Sequence, residues 1–173
     1  MISVLSNIEQ TIEAIGATER QMTIAAMRAL NKTAAWLKSQ SAKQISSATN
    51  IQQKLIRKRL RMIKANPSSL RALVIARLHN IKASSLGAMK QTTSGARVGR
   101  YSFSGAFVAT MPNKYRSIFK RETKRSLPIE EITLPLEPTA SNIIMELANT
   151  EVMEKFDRYF EHELNFVLRV KSV

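Results

Sequence analysis

Apolar side chains recur at steps of three and four along residues 4–45, the spacing that places them on one face of an α-helix. A first run ends at Gly16, which indicates a helix terminus. A second, longer run opens at Thr18 and Glu19 and has a seam of small residues, so it predicts a long amphipathic helix that another element can approach closely. The positions are Val4, Leu5, Ile8, Ile12 and Ile15, then Ala26, Leu30, Ala34, Leu37, Ser41 and Ile45. Trp36, on the neighbouring face, is interpreted as a core or interface anchor.

A third helix is predicted over residues 51–64, capped by Asn50 and ended by Asn66 and Pro67. Its apolar side consists of Leu55, Ile56, Leu60 and Ile63. The cations that cluster on its other side are Lys54, Arg57, Lys58, Arg61 and Lys64. This helix is therefore expected to be half core and half cationic surface.

From Leu70 the pattern changes to the β-branched runs and glycine-rich breaks of strands. The predicted segments are strands over residues 71–78 and 98–111, an extension over 81–86, an exposed loop over 88–96, and a returning strand over 117–121. Gly99 and Gly105 are expected to bend the second strand. Pro112 and Asn113 are expected to form the turn of an antiparallel hairpin.

After Pro135 and Pro138 the helical spacing returns, with an apolar stripe formed by Val152, Phe156, Phe160, Leu164 and Val167. The opposite face is predicted to be acidic and to carry Glu151, Glu154, Asp157, Glu161 and Glu163. Helices, then strands, then helices predict the α+β class: long N-terminal helices packed on a central antiparallel sheet, with C-terminal helices. The length favours one domain over residues 1–173, helical over 1–66 and 138–171 and sheet over 70–135.

The net charge of +14 is distributed very unevenly along the chain. Residues 1–50 carry five basic and three acidic side chains, residues 51–125 carry eighteen and one, and residues 126–173 carry four and nine. Such an excess in one segment repels itself and disfavours the compact state unless a polyanion or an acidic protein surface lies against it. A solvated basic face is the alternative interpretation, but solubility does not require a distribution this one-sided.

Catalytic and metal-binding patterns are poorly represented. The chain has no cysteine, which excludes disulfides, a thiolate nucleophile and sulfur-ligated zinc. His79 and His162 lack metal-ligand spacing, and His162 is interpreted as a surface helix residue. Asp157 and Glu161 lie one helical turn apart, but a solvated acidic face explains them better than a cation site. We therefore predict no catalytic residue, cofactor or metal, and an enzyme is the weakest hypothesis. No membrane span or signal peptide is expected either.

Four segments in order resemble the minor tail protein Z family of long-tailed bacteriophages and prophages. They are "RALNKTAAWLKSQSAKQI" (28–45), "NIQQKLIRKRLRM" (50–62), "GAFVATMPNKYRSIFKR" (105–121) and "LPIEEITLP" (127–135). The resemblance spans residues 25–170 and is specific by combination, because no single segment is a chemical motif. In one departure, Thr133-Leu134-Pro135 stands where family members commonly continue into Gly-Pro-Ser.

The resemblance implies a structural, non-enzymatic protein of the virion, similar to the tail-completion or neck proteins that prepare the head-proximal end of the tail. Related neck proteins are α+β subunits arranged as a ring. The implied partners are other copies of the chain, with a hexamer as one candidate, other tail and head–tail connector proteins, and DNA in the tail channel. Synthesis is expected in the cytoplasm of the bacterial host, with no membrane partner.

Two sets of residues are predicted to form contact surfaces. The hairpin around Pro112 and Asn113 is expected to project an interface with Phe107, Tyr115 and Phe119 as anchors and Arg116, Lys120 and Arg121 on its rim. For the aromatic residues, a plain core role remains the alternative.

The cations of the predicted basic helix are expected to meet either the acidic C-terminal segment of a neighbouring subunit or DNA. Ring contact is favoured over DNA contact, and the two are compatible. The alternative function for the whole chain is a DNA-binding protein without sequence specificity.

Overall fold

The computed structural model describes residues 18–123 and 125–169, which form helices α1–α4 and strands β1–β10. The helices are α1 Glu19–Thr49, α2 Gln53–Arg59, α3 Thr139–Thr150 and α4 Val152–Arg169. The strands are β1 Leu60–Ile63, β2 Leu73–Ala76, β3 Ile81–Lys82, β4 Met89–Thr92, β5 Gly95–Val98, β6 Tyr101–Ser104, β7 Ala106–Thr110, β8 Arg116–Arg121, β9 Ile129–Glu131 and β10 Thr133–Leu134. A 3₁₀ turn, Ala83–Leu86, follows β3. The predicted α+β class is confirmed, with the strands distributed over small antiparallel sheets.

Helix α1 confirms the long amphipathic helix that the sequence predicts from Thr18 onward. Thr18 and Gln21 form a reciprocal cap, in which the Thr18 N–H donates to Gln21 Oε1 at 2.8 Å and the Gln21 N–H donates to Thr18 Oγ1 at 3.4 Å. The buried stripe is rich in alanine, as the small-residue seam indicates. The first predicted helix, over residues 4–15, lies outside the described residues.

Asn50 ends α1 instead of capping the next helix, contrary to the prediction. Its φ of 54° is left-handed, a conformation that asparagine adopts more readily than most residues and that commonly follows a helix C-terminus. The Gln52 carbonyl accepts the first hydrogen bond of α2, from the Leu55 N–H at 2.9 Å. Residues 50–52 therefore separate the two helices.

The predicted basic helix over residues 51–64 is too long. Helix α2 ends at Arg59, and Leu60–Ile63 forms strand β1, which pairs antiparallel with β2 from Leu60↔Ala76 to Ile63↔Leu73. The pairing satisfies the backbone groups of an apolar segment whose side chains alternate between two faces, so a partner distant in sequence overrides the local helical spacing. We call residues 60–76 the β1–β2 ribbon. Asn31 of α1 holds its loop by accepting from the Ala65 N–H at 2.8 Å and donating to the Ala65 carbonyl at 3.1 Å.

The predicted exposed loop over residues 88–96 is wrong. These residues form β4, a turn and the start of β5. The predicted strand over residues 98–111 is divided at Gly99, in the turn between β5 and β6, and at Gly105, which separates β6 from β7, and both glycines have positive φ values. Strands β4, β5 and β6 form one three-stranded sheet in that order. Gly95 is required there because a Cβ atom would overlap the Phe103 carbonyl oxygen of β6.

The predicted hairpin at Pro112 and Asn113 is confirmed. Strands β7 and β8 pair from Ala106↔Lys120 to Thr110↔Arg116, and β9 adds to the other side of β8. The Asn113 side chain accepts from the Tyr115 N–H at 3.0 Å, and the Met111 N–H donates to the Tyr115 carbonyl at 2.8 Å. This turn fixes the register of the hairpin.

One side chain closes the outer edge of β7. Gln91 of β4 accepts a hydrogen bond from the Val108 N–H at 2.8 Å, and its amide nitrogen lies 3.4 Å from the Ala106 carbonyl oxygen. The same nitrogen donates to the Gly95 carbonyl at 2.8 Å. The carboxamide thus occupies the place of a peptide group from a neighbouring strand.

The described residues group into two compact units. The first contains residues 18–41, 60–76 and 144–169, and its core includes Met22, Ala25 and Leu164. The second contains residues 42–59 and 77–143, with Val98, Ile118 and Leu136 among its fully buried side chains. The single domain over residues 1–173 stays a prediction.

Candidate interaction surfaces

The six residues of the predicted hairpin interface do not share one face. Strand alternation places Phe107, Phe119 and Arg121 on one face of the β7–β8–β9 sheet, and Arg116 and Lys120 on the other. Tyr115, just before β8, joins the first face through its hydroxyl contacts. The structure therefore divides the set into an aromatic face and a second face, on which Arg116 and Lys120 are exposed on either side of the buried Ile118.

On the aromatic face, Phe107 and Phe119 pack with their ring centroids 6.3 Å apart. Phe119 is only 7% exposed, so most of its surface is already covered within the chain. The Arg121 guanidinium lies 5.1 Å from the centroid of the half-buried Phe107 ring, within range of a cation–π interaction. Phe107 and Arg121 are therefore the members of this set that present surface on this face.

Tyr115 belongs to a polar network between β8, β9 and the turn after β3. Its hydroxyl and the Ser117 hydroxyl both donate to Glu131 Oε1, the latter at 2.6 Å. Lys82 Nζ lies 3.0 Å from Glu131 Oε2 and 4.8 Å from the Tyr115 ring centroid, and Ser84 Oγ lies 3.1 Å from the Tyr115 hydroxyl. Tyr115 is therefore fixed by its own chain.

The Glu131 carboxyl is ionised more readily than an ordinary glutamate. Burial by itself would raise its pKa, but hydrogen bonds from Ser117, Tyr115 and Lys82 and the charge of Lys82 hold the pKa below its usual range. The same contact with Glu131, followed by the one with Tyr115, raises the pKa of Lys82. The network is consequently an ion pair reinforced by two hydroxyl donors.

The predicted polyanion face is divided because the basic helix ends early. Lys54, Arg57 and Lys58 are exposed on α2, while Ile56 on the same helix is buried. Arg61 lies in β1 and Lys64 follows it, both exposed. Arg59, between the two groups, has a structural role, because its guanidinium donates to the His79 carbonyl at 2.7 Å.

A further basic surface lies on the β4–β5–β6 sheet. Lys90 and Arg97 are directly opposite each other on neighbouring strands and both are exposed, next to the hydroxyl of Ser102 on β6. Like charges in this position repel each other unless an anion lies between them. Among the described residues, neither cation has a carboxylate within ion-pair distance. This face therefore has the chemistry of an anion-binding surface.

Glu163 of α4 is buried, whereas the sequence analysis placed it on the exposed acidic face. Its carboxylate forms ion pairs with Lys32 and, at 3.5 Å, with Arg28, both on α1. Burial by itself would raise the pKa of Glu163, but Lys32, Arg28 and His162 hold it below its usual range. The group lines an open cleft of about 570 Å³ together with Asn31 and Phe166.

Comparison with known proteins gives these surfaces a context. A profile of the family described as Prophage minor tail protein Z (GPZ) matches residues 5–172. The chain belongs to this family. It is also 28% identical over 144 residues to the protein named "Tail completion protein" of Escherichia phage N15, an alignment that covers 76% of this chain and 78% of the relative. No solved structure matches this chain.

This minor tail protein Z family member is a structural component of a phage tail, which makes contact surfaces the relevant kind of site. Within residues 18–123 and 125–169, no cluster of three or more His, Asp or Glu side chains is placed to hold a metal ion. In the same residues, no helix has the length and apolar character to cross a membrane.

Two features of the family member were missed by sequence reasoning. Glu163 lies at helical spacing from Phe156, Phe160 and Val167 of the apolar stripe, and this spacing was the available signal of its burial. The Lys90–Arg97 pair was hidden because its strands were interpreted as a loop. Residues 89–92, Met-Lys-Gln-Thr, have one apolar residue followed by three polar ones, so no alternation of polar and apolar residues indicated this strand.

Proposed function

We propose that this chain is a tail-completion subunit that assembles with copies of itself into a ring at the head-proximal end of the tail. There it supports the joining of head and tail and the passage of DNA. The observation that carries the proposal is the match to a relative named a tail completion protein, which extends over about three quarters of both chains.

The distribution of charge supports assembly of identical subunits. Residues 51–125 carry eighteen basic and one acidic side chain, whereas residues 126–173 carry nine acidic and four basic ones. A contact between the basic segment of one subunit and the acidic segment of the next repeats head to tail and closes into a ring if the rotation permits. Charge complementarity then fixes the register and speeds association.

Electron microscopy of particles made by the encoding phage or prophage without this chain tests the proposal. Tails should form but remain separate from filled heads, and expression of the chain in trans should restore joined particles. Antibody labelling of complete particles should mark the head-proximal end. Joined particles in the absence of the chain, or label elsewhere on the tail, contradict the proposal.

A second candidate function is binding of DNA without sequence specificity, and the Lys90–Arg97 pair favours it. Two exposed cations on a flat sheet face, with hydroxyl groups beside them, match the phosphate backbone. Such binding weakens steeply with salt, with a log–log slope of about −0.9 per phosphate neutralised.

The salt dependence of binding to a short DNA duplex separates the two candidates. The variant Lys54→Gln, Arg57→Gln, Lys58→Gln and the variant Lys90→Gln, Arg97→Gln each remove exposed cations while leaving the buried residues unchanged. A flatter slope in either variant identifies the DNA-contacting surface. Unchanged slopes in both, with impaired tail completion, indicate that these cations contact protein and not DNA.

A further inference from the structure

Exposed apolar side chains are concentrated on two parts of the first unit. Among the described residues, seven large hydrophobic side chains are prominently exposed. Three lie in the β1–β2 ribbon and three on the C-terminal helices: Ile63 at 41%, Leu70 at 47% and Ile75 at 40%, then Met145 at 62%, Met153 at 38% and Phe166 at 50%. Single exposed apolar residues are common on protein surfaces, but a cluster on one small element indicates a contact site.

The ribbon presents an apolar outer face. Leu60 and Met62 point to one face with Val74 and Ala76, while Ile63 and Leu73 are paired on the other, next to the Arg61↔Ile75 pair. In the part of the chain that the structure describes, the ribbon consists of two strands. The outer edge of each strand is therefore open to pairing with another strand. Such an element is marginal in water and gains stability when its outer face is covered.

The border of this face is uniformly positive. Arg61, Lys64 and Arg71 are exposed, and residues 60–76 contain no acidic side chain. None of the three forms an ion pair within residues 18–123 and 125–169. A molecule that covers the ribbon should therefore combine apolar groups with negative charge.

The exposed face of α4 has that combination. Glu154, Asp157 and Glu161 follow helical steps of three and four, Met153 lies four residues before Asp157, and all four are exposed. Within residues 153–161 Arg158 is the one exposed cation, and Lys155 forms an ion pair with Glu154 at 3.7 Å. The face is net negative, with Met153 as an adaptable apolar contact.

We propose that the β1–β2 ribbon of one copy docks on the outer face of α4 of a second copy. Both surfaces are exposed in the same chain, so they do not cover each other within it. A ribbon and a helix are different surfaces, so the contact is heterologous and repeats from subunit to subunit. The inference deepens the proposed assembly and rests on it only for the biological setting.

A charge-exchange experiment with two full-length variants tests this contact. The ribbon variant carries Arg61→Glu, Lys64→Glu and Arg71→Glu, and the helix variant carries Glu154→Lys, Asp157→Lys and Glu161→Lys. Each variant alone places like charges opposite each other and should lose at least about tenfold in self-association by sedimentation velocity. An equimolar mixture should recover association, because the ribbon of each variant complements the helix of the other.

Two controls distinguish this contact from a general effect of charge. The variant Arg77→Glu, Arg100→Glu, Arg125→Glu changes the net charge as much as the ribbon variant does, but at exposed positions of the second unit that belong to none of the contact surfaces, and should associate like the wild type. The variant Ile63→Thr, Ile75→Thr keeps the β propensity of the ribbon and all its charges, and should also associate more weakly. The circular dichroism spectrum and thermal midpoint of each variant should establish that it is folded.

A wild-type chain that remains monomeric at every concentration tested overturns the inference, and so does a mixture that associates no better than the single variants. Equal loss in the second-unit control assigns the effect to net charge and also rejects the contact. Tail completion, measured by electron microscopy, can fail or succeed independently of these results. The failure of this inference is therefore distinguishable from that of the proposed function.

Discussion

Glu131 is a half-buried carboxylate of the second unit and Glu163 a buried carboxylate of the first, and each is held ionised by cations on other elements. Glu131 has two hydroxyl donors in addition to Lys82, whereas Glu163 is paired with Lys32 and Arg28. Because the cations remain partly exposed, screening by water limits what each ion pair contributes. Because hydrogen bonds require a defined direction, the two hydroxyl donors restrict the orientation of the Glu131 carboxylate more than ion pairs restrict that of Glu163.

Stability should depend on the ionisation of Glu131. Its folded-state pKa is lowered, so the stabilisation is present above the unfolded-state pKa of about 4.3 and is lost as pH falls through the folded-state value. We expect Glu131→Gln to lower the thermal midpoint at pH 7 and to differ less from the wild type as pH approaches 3. Glu146→Gln, at an exposed position of α3, is the matched control and should leave the thermal midpoint nearly unchanged at both pH values. If the wild-type and Glu131→Gln midpoints fall in parallel with pH, the network does not act through the carboxylate.

At the level of elements, the sequence predicts what local signals determine. Thr18 with Glu19 and the spacing to Ile45 predict α1, and Pro112 with Asn113 predicts the β7–β8 hairpin. The boundary between α2 and β1 was missed because β1 is fixed by residues 73–76, which are distant in sequence. The β4–β5 pair was missed because its glycine depends on the approach of Phe103, which composition does not reveal. The grouping of the predicted hairpin interface was incorrect for a similar reason. The sequence analysis grouped Arg116 and Lys120 with Phe107, but strand alternation places these two cations on the opposite face of the sheet.

Gly95→Ala tests the β4–β5–β6 sheet. The added methyl group would overlap the Phe103 carbonyl oxygen, so we expect a loss of about 1–3 kcal/mol in the free energy of unfolding, as for other overpacked sites. Ser94→Ala, at an exposed turn position beside it, should change stability by less than about 0.5 kcal/mol. Urea denaturation of both variants measures the difference. Equal stability of the two variants would show that the sheet does not close at this point.

Substitution of Arg116 and Lys120 tests whether the exposed cations of the β7–β8 hairpin contact another protein. Both are exposed, so Arg116→Ala with Lys120→Ala should leave the thermal midpoint nearly unchanged and reduce the yield of joined particles. Tyr115→Phe is a useful comparison, because it removes a hydroxyl from the Glu131 network and should act through stability. Normal particle yield from a folded double variant would remove this face from the set of contacts.

For the whole molecule, the net charge of +14 opposes compactness when salt is low. Moderate salt screens exposed charges more strongly than partly buried pairs such as Glu131 with Lys82. We therefore expect the thermal midpoint of the wild-type chain to rise as ionic strength increases from about 0.01 M to 0.15 M. Differential scanning fluorimetry measures the change. A falling midpoint would show that attractive ion pairs outweigh the repulsion.

The contact of Gln91 with the outer edge of β7 opposes aggregation of the chain through that edge. An uncovered strand edge is a template on which another chain can add a strand, and repetition of that step produces aggregates. Since the carboxamide already satisfies the Val108 N–H, an incoming strand must first displace it. A single amide side chain thus protects this edge of the sheet against the addition of a strand from another copy.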